Sequence, residues 1–92
     1  MSSVKRIVLD VLKPHQPNAL EFAEALAALG HDYQVSLKVV GVDEKTESTM
    51  VVVVGSALDY AAIEARVNDL GGSVHSTDEV EVHSGSERHR KA

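Results

Sequence analysis

A run of five consecutive apolar residues, Met50 to Val54 (MVVVV), is the feature that most limits how this chain folds. β-Branched valine favours extended strands, and the run is far shorter than the roughly 20 apolar residues that cross a bilayer. Successive side chains of a strand point to opposite faces, so this run puts valines on both faces of its sheet in any register. We therefore expect a sheet with helices on one face and an apolar patch on the other.

Three further segments have the alternating apolar pattern of strands: Val4–Lys13, Tyr33–Val42 and Ser73–Val82. In the first of them, Ile7, Leu9 and Val11 share one face. The link between the second strand and the valine-rich third strand is short and polar (Asp43–Thr46), which predicts a hairpin and antiparallel pairing.

Two helices are predicted between the strands. Apolar residues recur at helical spacing from Ala19 to Leu29, and Gly30 ends that segment. Asp59 stands at the N-cap of the second helix, which Gly71–Gly72 ends. The order βαββαβ, with right-handed crossovers, predicts an α+β ferredoxin-like fold: a four-stranded antiparallel sheet in the order 4-1-3-2 with both helices on one face.

Composition excludes several classes of function. The 92 residues allow one domain, expected over residues 1–82, followed by a polar tail at 83–92 (HSGSERHRKA). The chain has no cysteine, which excludes disulfides, thiolate metal sites and thiol catalysis. The net charge of −5 and the three aromatic residues disfavour nucleic-acid partners. No apolar segment is long enough for a membrane span, so we expect no membrane partner and a cytoplasmic location.

Three segments carry a family resemblance: VLDVLKPH at 8–15, VDEKTE at 42–47 and LGGSVHSTDEV at 70–80. Together they resemble the archaeal family called domain of unknown function 211, over roughly Val4 to Val82. The resemblance implies a ferredoxin-like fold, homo-oligomers in the form of a ring or other closed assembly, and divalent cations bound in at least one member. No enzymatic activity is assigned to that family.

The predicted strand order brings acidic residues together, because the first and last strands are antiparallel neighbours. Simple alternation puts Asp10, His75, Thr77 and Glu79 on the open face, and Ser76 and Asp78 on the helix side; two polar residues there suggest a bulge. We expect a divalent cation, Ca²⁺ or Mg²⁺, with these candidate ligands: Asp10, His75, Asp78 and Glu79. The alternative is structural, with Asp10 paired to Arg6 and Asp78 capping the local backbone.

The open face also carries Val8 and Leu12 beside Asp10, which favours self-association. Lys13 and His15 precede the first helix and are expected to shape a tight turn rather than bind an anion. No organised nucleophile or acid–base pair is evident. We therefore expect a non-enzymatic, self-associating domain that binds a divalent cation. The alternative is a small-molecule-sensing regulatory domain with its ligand at a subunit interface.

Overall fold

The computed structural model describes residues 2–85, and they form the predicted sequence of elements. The strands and helices are β1 (Ser2–Pro14), α1 (Ala19–Ala27), β2 (Gln34–Val42), β3 (Thr46–Val54), α2 (Tyr60–Asp69) and β4 (Ser73–Ser84). The strands form one antiparallel sheet in the order β2-β3-β1-β4, which is the predicted order counted from the opposite edge. The ferredoxin-like α+β fold is confirmed.

Both helices begin at side-chain caps. The Asn18 side chain accepts a hydrogen bond from the backbone N–H of Glu21 (2.8 Å), and the Glu21 carboxylate accepts one from the backbone N–H of Asn18 (3.1 Å). The Asp59 carboxylate accepts from the backbone N–H of Ala62 (3.1 Å) at the start of α2. These bonds satisfy amides that have no partner inside a helix, so polar residues fix where each helix starts. Gly71, with φ of +89°, turns the chain after α2.

The core lies between the sheet and the two helices. Its members alternate along the strands and recur at helical spacing along α1 and α2: Ile7, Leu9, Val11, Phe22, Leu26, Val51, Val53, Leu58, Ile63 and Val67. The valine-rich run divides as predicted, because Val51 and Val53 are buried in this core while Val52 is only partly buried.

The two neighbours of β1 are offset along it. Residues 6–14 of β1 pair with β3, whereas residues 2–12 pair with β4. β4 continues past the expected end at Val82 to His83 and Ser84, which lie opposite Ser3 and Ser2. Residues 86–92 of the predicted tail lie outside the described residues. In the part of the chain that the structure describes, no helix is long and apolar enough to cross a membrane.

Candidate functional site

The open face of the sheet centres on Asp10. Asp10 lies opposite Met50 of β3, and Leu12 lies opposite Ser48. Leu12 and Met50 keep 40% and 41% of their surface exposed, so the acidic residue stands among accessible apolar side chains. An apolar patch is therefore present on this face at Leu12 and Met50, whereas Val8, which was also expected in it, is only 6% exposed.

A cavity of about 300 Å³ opens on this face, lined by Asp10, Leu12, Ser48 and His75. Asp10 is partly buried, and within residues 2–85 its carboxylate makes no hydrogen bond or ion pair. The cavity thus gathers a carboxylate, an imidazole and a hydroxyl, and leaves the carboxylate without a protein partner there.

The other two candidate ligands have protein partners. Glu79 lies opposite Val8 and forms an ion pair with Arg6 (3.2 Å from Nε to Oε2). Asp78 accepts a hydrogen bond from the Ser76 hydroxyl (2.7 Å). Among the described residues, no group of three or more histidine and acidic side chains is arranged to hold a metal ion. Two of the four predicted ligands are therefore already bound to other side chains of the protein.

The predicted faces of Ser76 and Thr77 are wrong. Ser76 lies opposite Asp10, and Thr77 lies opposite Leu9 on the helix side, where its hydroxyl is 2.9 Å from the hydroxyl of Tyr60. The β1–β4 register shifts at three points, and two of these shifts leave His75 and Asp78 of β4 without an opposing residue. Two such bulges reverse the alternation for the two residues between them and restore it afterwards. The expected bulge is therefore present at Asp78. A second bulge lies at His75, and its position could not be predicted from the alternation of residues along the strand.

A second polar cluster surrounds Lys13, which is fully buried on the helix side. Its ammonium group donates to Glu47 Oε1 (2.9 Å) and to the carbonyl of Pro14 (2.8 Å), and lies 5.7 Å from the centre of the Phe22 ring. Lys13 continues the alternation of the buried residues of β1, and this alternation is the signal from which its burial could have been predicted. The role expected for Lys13, shaping a turn, leaves out this buried ion pair.

His15 completes this cluster and binds it to the β2–β3 hairpin. Its Nδ1 is 3.0 Å from Glu47 Oε2, and its Nε2 is 3.0 Å from the carbonyl oxygen of Glu44. The hydrogen bond to Glu47, followed by that to Glu44, raises the pKa of His15 above its ordinary 6.5. Hydrogen bonds from His15 and then Lys13 lower the pKa of Glu47 below its ordinary 4.5. Since both ring nitrogens face oxygen acceptors, the imidazolium form satisfies both contacts.

Comparisons with known proteins extend the resemblance noted above. Residues 5–87 match the model of the family DUF211, which is described as uncharacterized ArCR. The chain is also 37% identical to the uncharacterized protein MJ0319 of Methanocaldococcus jannaschii, over 97% of this chain and 100% of that protein. Neither description gives a reaction, a ligand or a partner. The family match and the full-length similarity together show that this chain belongs to the domain of unknown function 211 family.

Proposed function

We propose that this protein is a non-enzymatic, self-associating domain that binds a divalent cation at Asp10 on the open face of its sheet. The partly buried carboxylate of Asp10, without a partner among the described residues, is the observation that supports this proposal most directly. Removing an ionised carboxylate from water costs free energy unless an opposite charge or hydrogen bonds offset it. A cation in the cavity supplies that charge.

The proposed ligands are the carboxylate of Asp10, the imidazole of His75 and the hydroxyl of Ser48, which line the same cavity. Carboxylate and hydroxyl oxygens suit Ca²⁺, Mg²⁺ and Mn²⁺, whereas an imidazole favours softer ions. Asp78 and Glu79 are not among the proposed ligands, since each already has a protein partner.

Three side-chain ligands leave positions on the cation for water or for groups of a second copy. Ca²⁺ takes six to eight oxygen ligands, and Mg²⁺ takes six. Leu12 and Met50 provide exposed apolar surface beside the cavity, which a second copy can cover. A bound cation also reduces the repulsion between chains of net charge −5. Cation binding and self-association are therefore thermodynamically linked in this proposal.

The same cavity argues for a binding role over catalysis. Ser48, His75 and Asp10 are the residue types of a hydrolytic triad, but no hydrogen bond joins any two of them. An activated serine needs its base within hydrogen-bond reach, and the base needs a third group to orient it. Neither contact is made here.

Isothermal titration of chelator-treated protein with CaCl₂, MgCl₂ and MnCl₂ tests the site. We expect Asp10→Asn to weaken binding by about tenfold or more, because loss of a charged ligand exceeds the roughly 1.4 kcal/mol that tenfold represents. Glu64→Gln, at an exposed position on α2, is the matched control. No heat with any of the three cations, or equal affinity in Asp10→Asn, contradicts the proposal.

The second candidate, a small-molecule-sensing domain, is favoured by the volume of the cavity. About 300 Å³ is the lower end of the range for small-ligand sites. A metabolite panel that raises the melting temperature of metal-free protein, while the three cations do not, would select this alternative.

A further inference from the structure

The turn of the β2–β3 hairpin, residues 43–45, is exposed along its whole length. Within the hairpin it is closed by a backbone hydrogen bond from the N–H of Asp43 to the carbonyl of Thr46 (2.8 Å). Among the described residues, His15 supplies the hydrogen bond that joins this turn to the connection between β1 and α1, because its Nε2 is 3.0 Å from the carbonyl oxygen of Glu44. The position of the turn therefore depends on one imidazole ring.

The two ring nitrogens of His15 face two different acceptors. Nδ1 is 3.0 Å from Glu47 Oε2, and Nε2 faces the carbonyl of Glu44. The imidazolium ring donates to both, whereas a neutral imidazole has one N–H and one lone pair and donates to only one of them. Loss of the ring proton therefore ends one of the two hydrogen bonds and leaves a nitrogen lone pair opposite an oxygen.

The surroundings determine which of the two hydrogen bonds is lost. Glu47 also accepts from the buried ammonium group of Lys13 (2.9 Å), and its side chain is 18% exposed, so this carboxylate is held in place. A hydrogen bond to a charged acceptor is about twice as strong as one between neutral groups. The carbonyl of Glu44 belongs to the exposed turn and can accept from water instead. The remaining ring proton therefore stays on Nδ1, and the contact with Glu44 is the one that breaks.

The charged and polar groups that face His15 favour its protonated form. The hydrogen bond to the Glu47 carboxylate of β3, followed by that to the carbonyl of Glu44, raises the pKa of His15 above 6.5, and the carbonyl of Asp43 adds to this against the effect of desolvation. The ammonium group of Lys13, on β1, binds the other carboxylate oxygen of Glu47. The ring therefore keeps its proton at pH 6.5 and releases it at higher pH.

We propose that His15 is a proton-operated clamp on the hairpin turn: the imidazolium ring holds the carbonyl of Glu44, and transfer of the Nε2 proton to water releases residues 43–45. Lys13 lies opposite Glu47, and their ion pair keeps β1 and β3 in register in both states, so the release is confined to the turn. The clamp lies on the helix side of the sheet, away from the cavity at Asp10, and goes beyond the function proposed above.

NMR relaxation of the full-length protein in EDTA tests the clamp. The order parameters of the Glu44 and Lys45 amides should fall from about 0.85 at low pH to about 0.6 at high pH, the values of a rigid and a flexible backbone. The fall should follow the titration of the His15 ring over about pH 5.5 to 8.5. His15→Gln cannot titrate and should abolish this pH dependence. His31→Gln, which removes an exposed histidine elsewhere, should retain it.

The nitrogen chemical shifts of the His15 ring provide a second measurement that needs no variant. The neutral ring should carry its proton on Nδ1. A proton on Nε2 overturns the clamp, because the bond to Glu47 is then the one that is lost. Order parameters that do not change in the wild-type protein, or that change equally in His15→Gln, also overturn it. Circular dichroism checks that each variant is folded.

Discussion

Replacing Lys13 with methionine tests whether the buried ion pair with Glu47 stabilises the fold. Methionine is unbranched and of similar length, so Lys13→Met keeps the core filled while it removes the ammonium group. The variant loses the hydrogen bonds to Glu47 (2.9 Å) and to the Pro14 carbonyl (2.8 Å), together with the contact to the Phe22 ring at 5.7 Å.

The expected loss of stability depends on which groups are left without a partner in Lys13→Met. Buried acceptors that lose a donor cost about 1–3 kcal/mol, and a desolvated cation–π contact contributes about 0.5–2 kcal/mol. Two effects reduce this loss of stability. The folded variant no longer buries an ammonium charge, and Glu47, whose side chain is 18% exposed, keeps its contact with His15. We therefore expect Lys13→Met to lower the free energy of unfolding by about 1–3 kcal/mol, less than the roughly 3–5 kcal/mol for breaking a fully enclosed ion pair.

Urea unfolding at about pH 6, followed by circular dichroism, measures this loss; for a domain of this size it corresponds to about 5–20 °C in melting temperature. The double variant Lys13→Met/Glu47→Leu removes both charges and should recover part of the stability, because an apolar pair of similar volume replaces a buried ion pair at little cost while the contact of Glu47 with His15 is lost. If Lys13→Met is as stable as the wild type, or the double variant is less stable than the single one, the reasoning fails.

Two other contacts give predictions of their own. Folding raises the pKa of His15, so its contribution is fully present below pH 6.5 and is lost as pH rises through the raised value. The urea midpoint of the wild type should therefore fall between about pH 5.5 and 8.5, and His15→Gln should remove the part of this fall that His15 causes. A fall of the same size in His15→Gln contradicts the prediction. Tyr60→Phe removes the contact with Thr77 (2.9 Å) and should cost about 0.5–1 kcal/mol. Thr77→Val should lower the free energy of unfolding by the same amount, and the double variant Tyr60→Phe/Thr77→Val should lose little more than either single variant. If the two losses add, Thr77 does not contact Tyr60 of α2.

Most of the fold could be predicted from local patterns. The alternation in β1, the polar hairpin link and the cap at Asp59 each follow from short-range chemistry, and the strand order follows from crossover handedness and the hairpin. The extension of β4 to Ser84 could not be predicted, because His83 and Ser84 carry no apolar signal and are paired only through the backbone of Ser3 and Ser2.

The candidate site was only partly predictable for a different reason. Asp10 and His75 were placed on one surface by strand adjacency, and the structure brings them to one cavity. The faces of Ser76 and Thr77 depended on two bulges whose positions the alternation of apolar residues does not reveal. The partner of Glu79 was equally hidden, since either Asp10 or Glu79 could have attracted Arg6 until the register was known.

The offset of the two neighbours along β1 implies that its amide hydrogens exchange with solvent at unequal rates. Residues 6–12 are held by strands on both sides, while Ser2 and Ser3 pair with β4 alone and Lys13 pairs with β3 alone. Deuterium should therefore enter at the two ends of β1 by separate local openings, and reach the middle of the strand only when the whole molecule unfolds.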